Sequence, residues 1–269
     1  MKMNAVLLAA AVAFVPSSAS TVSVAYAGSL VATMEGPVAH ALLERTGIHF
    51  SGEAKGSRAL ANLIRAGLRH PDVFISADPA LLKGLAPTYV VFGSARMVIA
   101  YSDKSPQASL FAAAGKGNAS LLALLTAPGV RVGRTDPQLD PKGARTIRAI
   151  GLLGKHEGRA ALANTLLANA QVFPEEDLAV RVETGELDAA FFYSTETGPL
   201  KLHTIELPGA ANLSDEITYA VAVLPHAAHP AAAAAFMNFL LNGDGKTVLE
   251  AAGVRYFAHP RVFKGKQSA

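Results

Sequence analysis

The chain has 269 residues, 24 basic and 21 acidic side chains and a formal charge of +3. It contains no Cys and no Trp, and 51% of it is hydrophobic. Without Cys there can be no disulfide, thiolate nucleophile, zinc ribbon or iron–sulfur cluster, so stability has to come from a packed apolar core. The charges are scattered, with no basic stripe interleaved with aromatics, which argues against a nucleic-acid partner.

The N-terminus reads as a secretory signal. Lys2 supplies a short positive region, Ala5 to Val15 is an apolar run too short to span a bilayer, and Ser18-Ala19-Ser20 offers the small residues of a cleavage site. Residues 1–20 are therefore expected to be removed, placing the mature chain outside the cytoplasm. No Cys follows the cleavage site that could carry a lipid.

From residue 21 the pattern alternates between strand and helix. Thr21 to Tyr26 is β-branched and apolar, and Gly28-Ser29 opens a helix expected to run to about Arg45. His49 to Glu53 reads as a second strand, Gly56-Ser57 opens a helix, and Asp72 to Ser76 is a third strand followed by Ala77-Asp78-Pro79. This βαβαβα order implies a parallel sheet covered by helices on both faces. Tyr89 to Tyr101 is expected to be a long strand, or two strands, leaving the first unit. A second set follows: a short helix at 121–125, a strand at 130–133, a helix at 143–153, a helix from Glu175 to about Glu183, and an apolar strand at 187–193. Thr218 to Leu224 and the Ala-rich helix from Pro230 to Leu241 return to the first unit.

Four segments place small or acidic residues at helix starts: Ala27-Gly28-Ser29-Leu30, Lys55-Gly56-Ser57-Arg58, Asp140-Pro141-Lys142-Gly143 and Pro174-Glu175-Glu176-Asp177. Helix starts carry unpaired N–H groups and a partial positive charge, so several of them aimed at one cleft form an anion site. The ordinary alternative for Ser29, Ser57 and Asp140 is an N-cap, and for Glu175, Glu176 and Asp177 a first turn that complements the helix dipole. Carboxylates beside an anion site would repel sulfate or phosphate. They are tolerated if the anion's central atom is a metal, such as molybdenum or tungsten, that can expand from tetrahedral to octahedral coordination. Tyr193, ending an apolar strand, is either core or a ligand contact at the cleft edge. Enzyme motifs fail: Gly245-Lys246-Thr247 lacks the upstream Gly of a phosphate loop, and neither His-Glu-x-x-His nor Gly-x-Ser-x-Gly occurs.

Taken together, these segments resemble the periplasmic molybdate/tungstate-binding proteins of ABC importers. The resemblance is carried by Ala-Gly-Ser-Leu at 27–30, Gly-Ser at 56–57, Ser-Ala-Asp at 76–78, Asp140-Pro141-Lys142-Gly143-Ala144-Arg145, and the Glu-x-Gly-Glu-Leu-Asp run at 183–188 before the strand ending at Tyr193. It implies a type II periplasmic binding protein: two α/β lobes, residues 21–100 plus 220–269 and residues 101–219, with a hinge near Ala100 and Tyr219. It further implies that Ser29 and Ser57 give hydroxyl and N–H groups to the oxyanion. Asp140 and Glu175 (or Glu176) would bond its metal, Lys142 would contribute its backbone N–H and Tyr193 its hydroxyl. At Lys142 many members of that family carry a small residue or Cys. The chain would then be a periplasmic monomer without cofactor or catalysis, handing a small oxyanion to an inner-membrane permease. Two other readings remain open: a site for a plain tetrahedral oxyanion such as sulfate, and a secreted hydrolase using Asp140 and Glu175 as acid and base.

Overall fold

The computed structural model describes residues 20–264; the signal-peptide reading of residues 1–20 lies outside them apart from Ser20. Two mixed sheets form the framework. The first has the order β11 (Arg255–Lys264), β4 (Thr88–Ser94), β10 (Thr218–Val223), β3 (Val73–Ser76), β1 (Thr21–Ala27), β2 (His49–Lys55). The second has the order β7 (Gln171–Phe173), β6 (Val132–Thr135), β8 (Ala189–Tyr193), β5 (Met97–Tyr101), β9 (His203–Glu206). Strands β1, β2 and β3 are parallel, as the βαβαβα order requires, but β10 joins β3 antiparallel and β4 and β11 extend that half. The second sheet repeats this scheme: β6 is parallel to β7 and β8, and β5 is antiparallel to β8 and β9.

The central strands are largely apolar on both faces because both faces are covered. In β5, Met97, Ile99 and Tyr101 enter one core while Val98 and Ala100 enter another. In β3, Val73 and Ile75 face one side while Phe74 packs with Leu60, Leu82 and Val91 on the other. Among the described residues no helix is long and apolar enough to cross a membrane.

The boundary drawn at residue 100 falls inside β5, all of which belongs to the second sheet; the chain crosses at Ala95 and Arg96 instead. The break in the apolar pattern from Gly93 to Arg96 is where the chain changes sheet, because the second apolar cluster, Met97–Tyr101, pairs with β8 and β9. The chain returns between Leu207 and Ile217, and the two crossings are tied by the Ala95 N–H donating to the Ile217 carbonyl at 3.1 Å. The first helix is also less regular than its pattern suggests. It opens as a 3₁₀ turn at Gly28–Leu30 and passes through a π-turn at Met34–Val38 before becoming regular at Ala39–Thr46. Pro37 sits in that π-turn, and having no N–H it interrupts the i−4 ladder there.

Candidate functional site

Two helix starts of lobe 1 face two of lobe 2. On the lobe 1 side, the turn after β1 buries Ser29, whose hydroxyl lies 3.0 Å from the Tyr219 hydroxyl of β10. That tyrosine also lies 2.9 Å from the Thr195 hydroxyl of lobe 2, and Thr195 donates at 3.3 Å to the Ser29 carbonyl. Ser57 is the first residue of the Ser57–Arg65 helix and is buried. Its hydroxyl oxygen accepts the Ala77 N–H at 3.2 Å, leaving its proton to donate.

On the lobe 2 side, Asp140 caps the Pro141–His156 helix, its Oδ1 accepting the Lys142 N–H at 2.6 Å. Glu175 is the first residue of the Glu175–Glu183 helix and is buried. The lobes meet here so closely that the two glycines ahead of the serines are needed for space rather than for backbone freedom. A Cβ on Gly28 would collide with the Glu175 side chain, and one on Gly56 would lie 2.7 Å from the Leu139 carbonyl oxygen and 3.2 Å from Asp140 Oδ2. The Ala59 N–H closes the same seam, donating to the Leu139 carbonyl at 3.0 Å.

Asp140 and Glu175 lie near enough for their charges to repel. Burial, and then the Glu175 charge, hold the Asp140 carboxyl well above its ordinary range, with the nearby Lys142 ammonium opposing. Glu176, the alternative to Glu175, points outward and pairs with Lys55 at 3.4 Å. The side chain of Glu175 is 3% exposed and that of Glu176 47%, so only the first reaches the gap.

Lys142 is where the structure departs furthest from the sequence reading. Its N–H is expected to meet the ligand, but Asp140 occupies it inside the helix cap. The side chain instead turns inward and is fully buried, with Nζ 2.8 Å from Glu175 Oε1 and 2.9 and 3.1 Å from the two oxygens of Glu196. The ammonium lies 5.0 Å from the centre of the Phe192 ring. Burial alone would lower its pKa; the charges of Glu175, Glu196 and Asp140 outweigh this and raise it, so it stays charged. Burial is the main cause that pushes Glu196 up to about 7, and Lys142 opposes it.

Tyr193 is buried at the end of β8, and its hydroxyl oxygen accepts from Arg145 Nη1 at 3.2 Å. Burial raises its pKa, so the phenol keeps a proton that it can donate. Glu196 and Thr195 lie outside the segments that the sequence marks, and Tyr219, expected there at the hinge, also joins the site. For Glu196 a signal existed: it stands three residues after Tyr193 and accepts the Tyr193 N–H at 2.7 Å, the spacing of a capping box. A cleft of about 390 Å³ lies elsewhere, lined by residues that include Arg65, His70, Leu85 and His226. None of its lining residues is a carboxylate. The interlobe gap is distinguished by its buried polar groups, not by its size.

Two α/β lobes joined by paired crossings, with helix starts of both converging on a buried polar gap, define a two-lobed solute-binding protein of the periplasmic type. The fold of the Azotobacter vinelandii periplasmic molybdate-binding protein matches over 87% of this chain and 98% of that one, with a TM-score of 0.68 at 18% identity. The sulfate-binding protein of Mycobacterium tuberculosis matches over 89% and 88%, with a TM-score of 0.61 at 15% identity. Residues 22–255 match the model of the bacterial extracellular solute-binding proteins, and the chain belongs to that family. Among its relatives, a Haloferax volcanii protein whose name provisionally assigns it to molybdenum binding in an ABC transporter is 36% identical over 171 residues, 63% of this chain. The match spans 55% of that relative's own length. The molybdate/tungstate-binding protein of Thermococcus kodakarensis is 27% identical over 75% of this chain and 71% of its own.

Proposed function

We propose that this protein captures molybdate or tungstate between its lobes outside the cytoplasm and delivers it to a membrane permease, without chemical transformation. The observation that carries this reading is the pair of carboxylates, Asp140 and Glu175, that lobe 2 presents towards the Ser29 and Ser57 helix starts of lobe 1. Hydroxyls and N–H groups suit the oxo groups of a dianion, and the carboxylates suit a central atom that accepts two more oxygens. Sulfate offers those carboxylates nothing to bond, and a sulfate site would be expected to turn them away from the cleft. As acid and base of a hydrolase they would need a substrate groove between them, whereas both are buried against the facing lobe, Glu175 at Gly28 and Asp140 at Gly56. In this reading the tied crossings at 95–96 and 207–217 flex and ligand entry closes the lobes.

A thermal-shift titration with molybdate, tungstate, sulfate, phosphate and chromate tests it. A ligand that binds only the folded state adds about 4 kcal/mol at ~1,000 times Kd. Large shifts with molybdate and tungstate alone are expected. A shift with sulfate of equal size would replace the reading with a plain tetrahedral pocket, and no shift with any oxyanion would end it.

A further inference from the structure

The side chain of Lys142 has no role in the oxyanion reading as it stands, yet it is among the most constrained in the molecule. Its ammonium is held between Glu175 Oε1 and both oxygens of Glu196, with the Phe192 ring beside it. Glu196 is fixed in turn, because its Oε2 also accepts the Tyr193 N–H at the end of β8. A continuous set of contacts therefore runs from a central strand through Glu196 and Lys142 to one oxygen of Glu175. The other oxygen, Glu175 Oε2, is buried and has no donor among the described residues. A glutamate is ordinarily free to rotate about several bonds, and the Lys142 contact to Oε1 removes that freedom here. Its buried Oε2 needs a partner, and an entering group can supply one.

We propose that Lys142 and Glu196 form a positioning pair that clamps Glu175 by Oε1 and so aims Oε2 at the ligand's central atom, making the pair a determinant of selectivity for oxyanions that accept carboxylate oxygen. This rests on the oxyanion reading above. The charges point the same way. Asp140, Glu175 and Glu196 together would oppose entry of a dianion into a buried gap, where Coulomb terms are weakly screened, and the ammonium offsets one of the three. The clamp is therefore both a mechanical and an electrostatic condition for placing carboxylates beside an anion.

Three variants test this. Lys142→Met keeps the length and apolar contact of the side chain without its charge. Glu196→Gln keeps an acceptor for the Tyr193 N–H. The double change Lys142→Met with Glu196→Leu removes the pair together, a replacement that buried ion pairs often tolerate without loss of folding. Titration calorimetry with sodium molybdate and sodium sulfate gives the two affinities, and molybdenum K-edge absorption on the loaded protein reports octahedral or tetrahedral metal. Lys142→Met and the double variant are expected to bind molybdate about 10–100-fold more weakly, the usual cost of losing a partner that orients a ligating group. The bound metal should shift towards tetrahedral and sulfate affinity should change less, narrowing the ratio of the two. A folded double variant with unchanged molybdate affinity and an octahedral spectrum overturns the clamp. So does an equal loss for both anions with the octahedral spectrum retained, since that marks general damage. Failure of the unmodified protein to bind molybdate would overturn the oxyanion reading instead, so that titration comes first.

Discussion

Buried carboxylates occur in two settings in this molecule, and they behave in opposite ways. Asp72 in lobe 1 and Asp188 in lobe 2 each stand alone among donors. Asp72 accepts the Ser23 N–H and hydroxyl at 2.8 and 2.9 Å and the His229 N–H at 2.9 Å, with His229 Nδ1 at 3.1 Å. Asp188 accepts from the Ser105 hydroxyl at 2.9 Å, the Arg131 N–H at 2.8 Å and the Arg131 guanidinium at 3.0 Å. Burial works against ionisation in both, but the hydrogen bonds outweigh it and both pKa values fall. At the interlobe gap three acids share one ammonium, and Asp140 and Glu196 rise. One arrangement ties strands together. The other keeps like charges crowded where a ligand can use them, at a cost in stability.

The largest effect is expected where the donors are most numerous. Asp72→Ala would leave the Ser23 and His229 donors without their buried acceptor, at the junction of β1, β3 and the Pro230–Asn242 helix. A loss of about 3 kcal/mol is expected, the upper end of the cost of stripping the acceptor from such donors. Urea unfolding measures it, and a loss below about 1 kcal/mol, the size of an ordinary surface change, would remove the distinction between the two settings.

Opposite pKa shifts give opposite pH dependences. Asp72 and Asp188 have lowered values, so their contribution is present above the ordinary aspartate pKa and is lost as pH falls through their folded values. Glu196 is raised from 4.5 to about 7, so its contribution is fully present below about 4.5 and is lost as pH rises through about 7. The ligand-free protein should therefore become more stable on acidification from pH 8 to about 5 and less stable below about 4. Linkage puts the Glu196 part on the order of 3 kcal/mol. Urea midpoints at several pH values should show the slope between 5 and 7 shrinking in Glu196→Gln; an unchanged slope would assign it to other groups.

Asn at position 140 resembles the protonated acid that crowding favours there. Asp140→Asn keeps an acceptor for the Lys142 N–H while removing the repulsion with Glu175. It is expected to stabilise the ligand-free protein by about 1–2 kcal/mol at pH 8, a typical gain when a functional site is relieved. It should also weaken molybdate binding. A lower melting temperature together with full affinity would place Asp140 among the structural acids instead.

Much of this architecture was legible in the sequence. The apolar runs of β1, β3, β5 and β8 are covered on both faces and announce themselves, and the Glu175–Glu183 helix starts and stops where its charges say. The Ala160–Asn169 helix escaped notice because Arg159 precedes it without a capping side chain. Strand β9 buries only Ile205, and β11 is mostly exposed and contains Pro260, so neither shows a core-facing alternation. At the site, a helix-start pattern can mark Ser29, Ser57, Asp140 and Glu175 because caps are local. It cannot show that Lys142 turns inward. That depends on Glu175 and Glu196, far away in sequence, arriving at the same point.

The glycines of the lobe 1 starts give the smallest expected change in stability and a separable change in binding. Gly56 has φ −52° and ψ 128°, a conformation open to any L-residue, and exchanging Gly for Ala at an N-cap costs a helix no more than about 1 kcal/mol. Its added Cβ would nevertheless press on the Leu139 carbonyl oxygen of the other lobe. Backbone cannot yield there without moving Asp140 as well. Gly56→Ala should therefore lower the urea stability of the ligand-free protein by no more than about 1 kcal/mol. Molybdate should leave it several-fold faster, and the loaded form should stay more extended in small-angle scattering than the unmodified protein. Unchanged release would mean that the approach of the lobes at Gly56 is not what holds the ligand, and that Glu175 and Asp140 retain it without the seam closing.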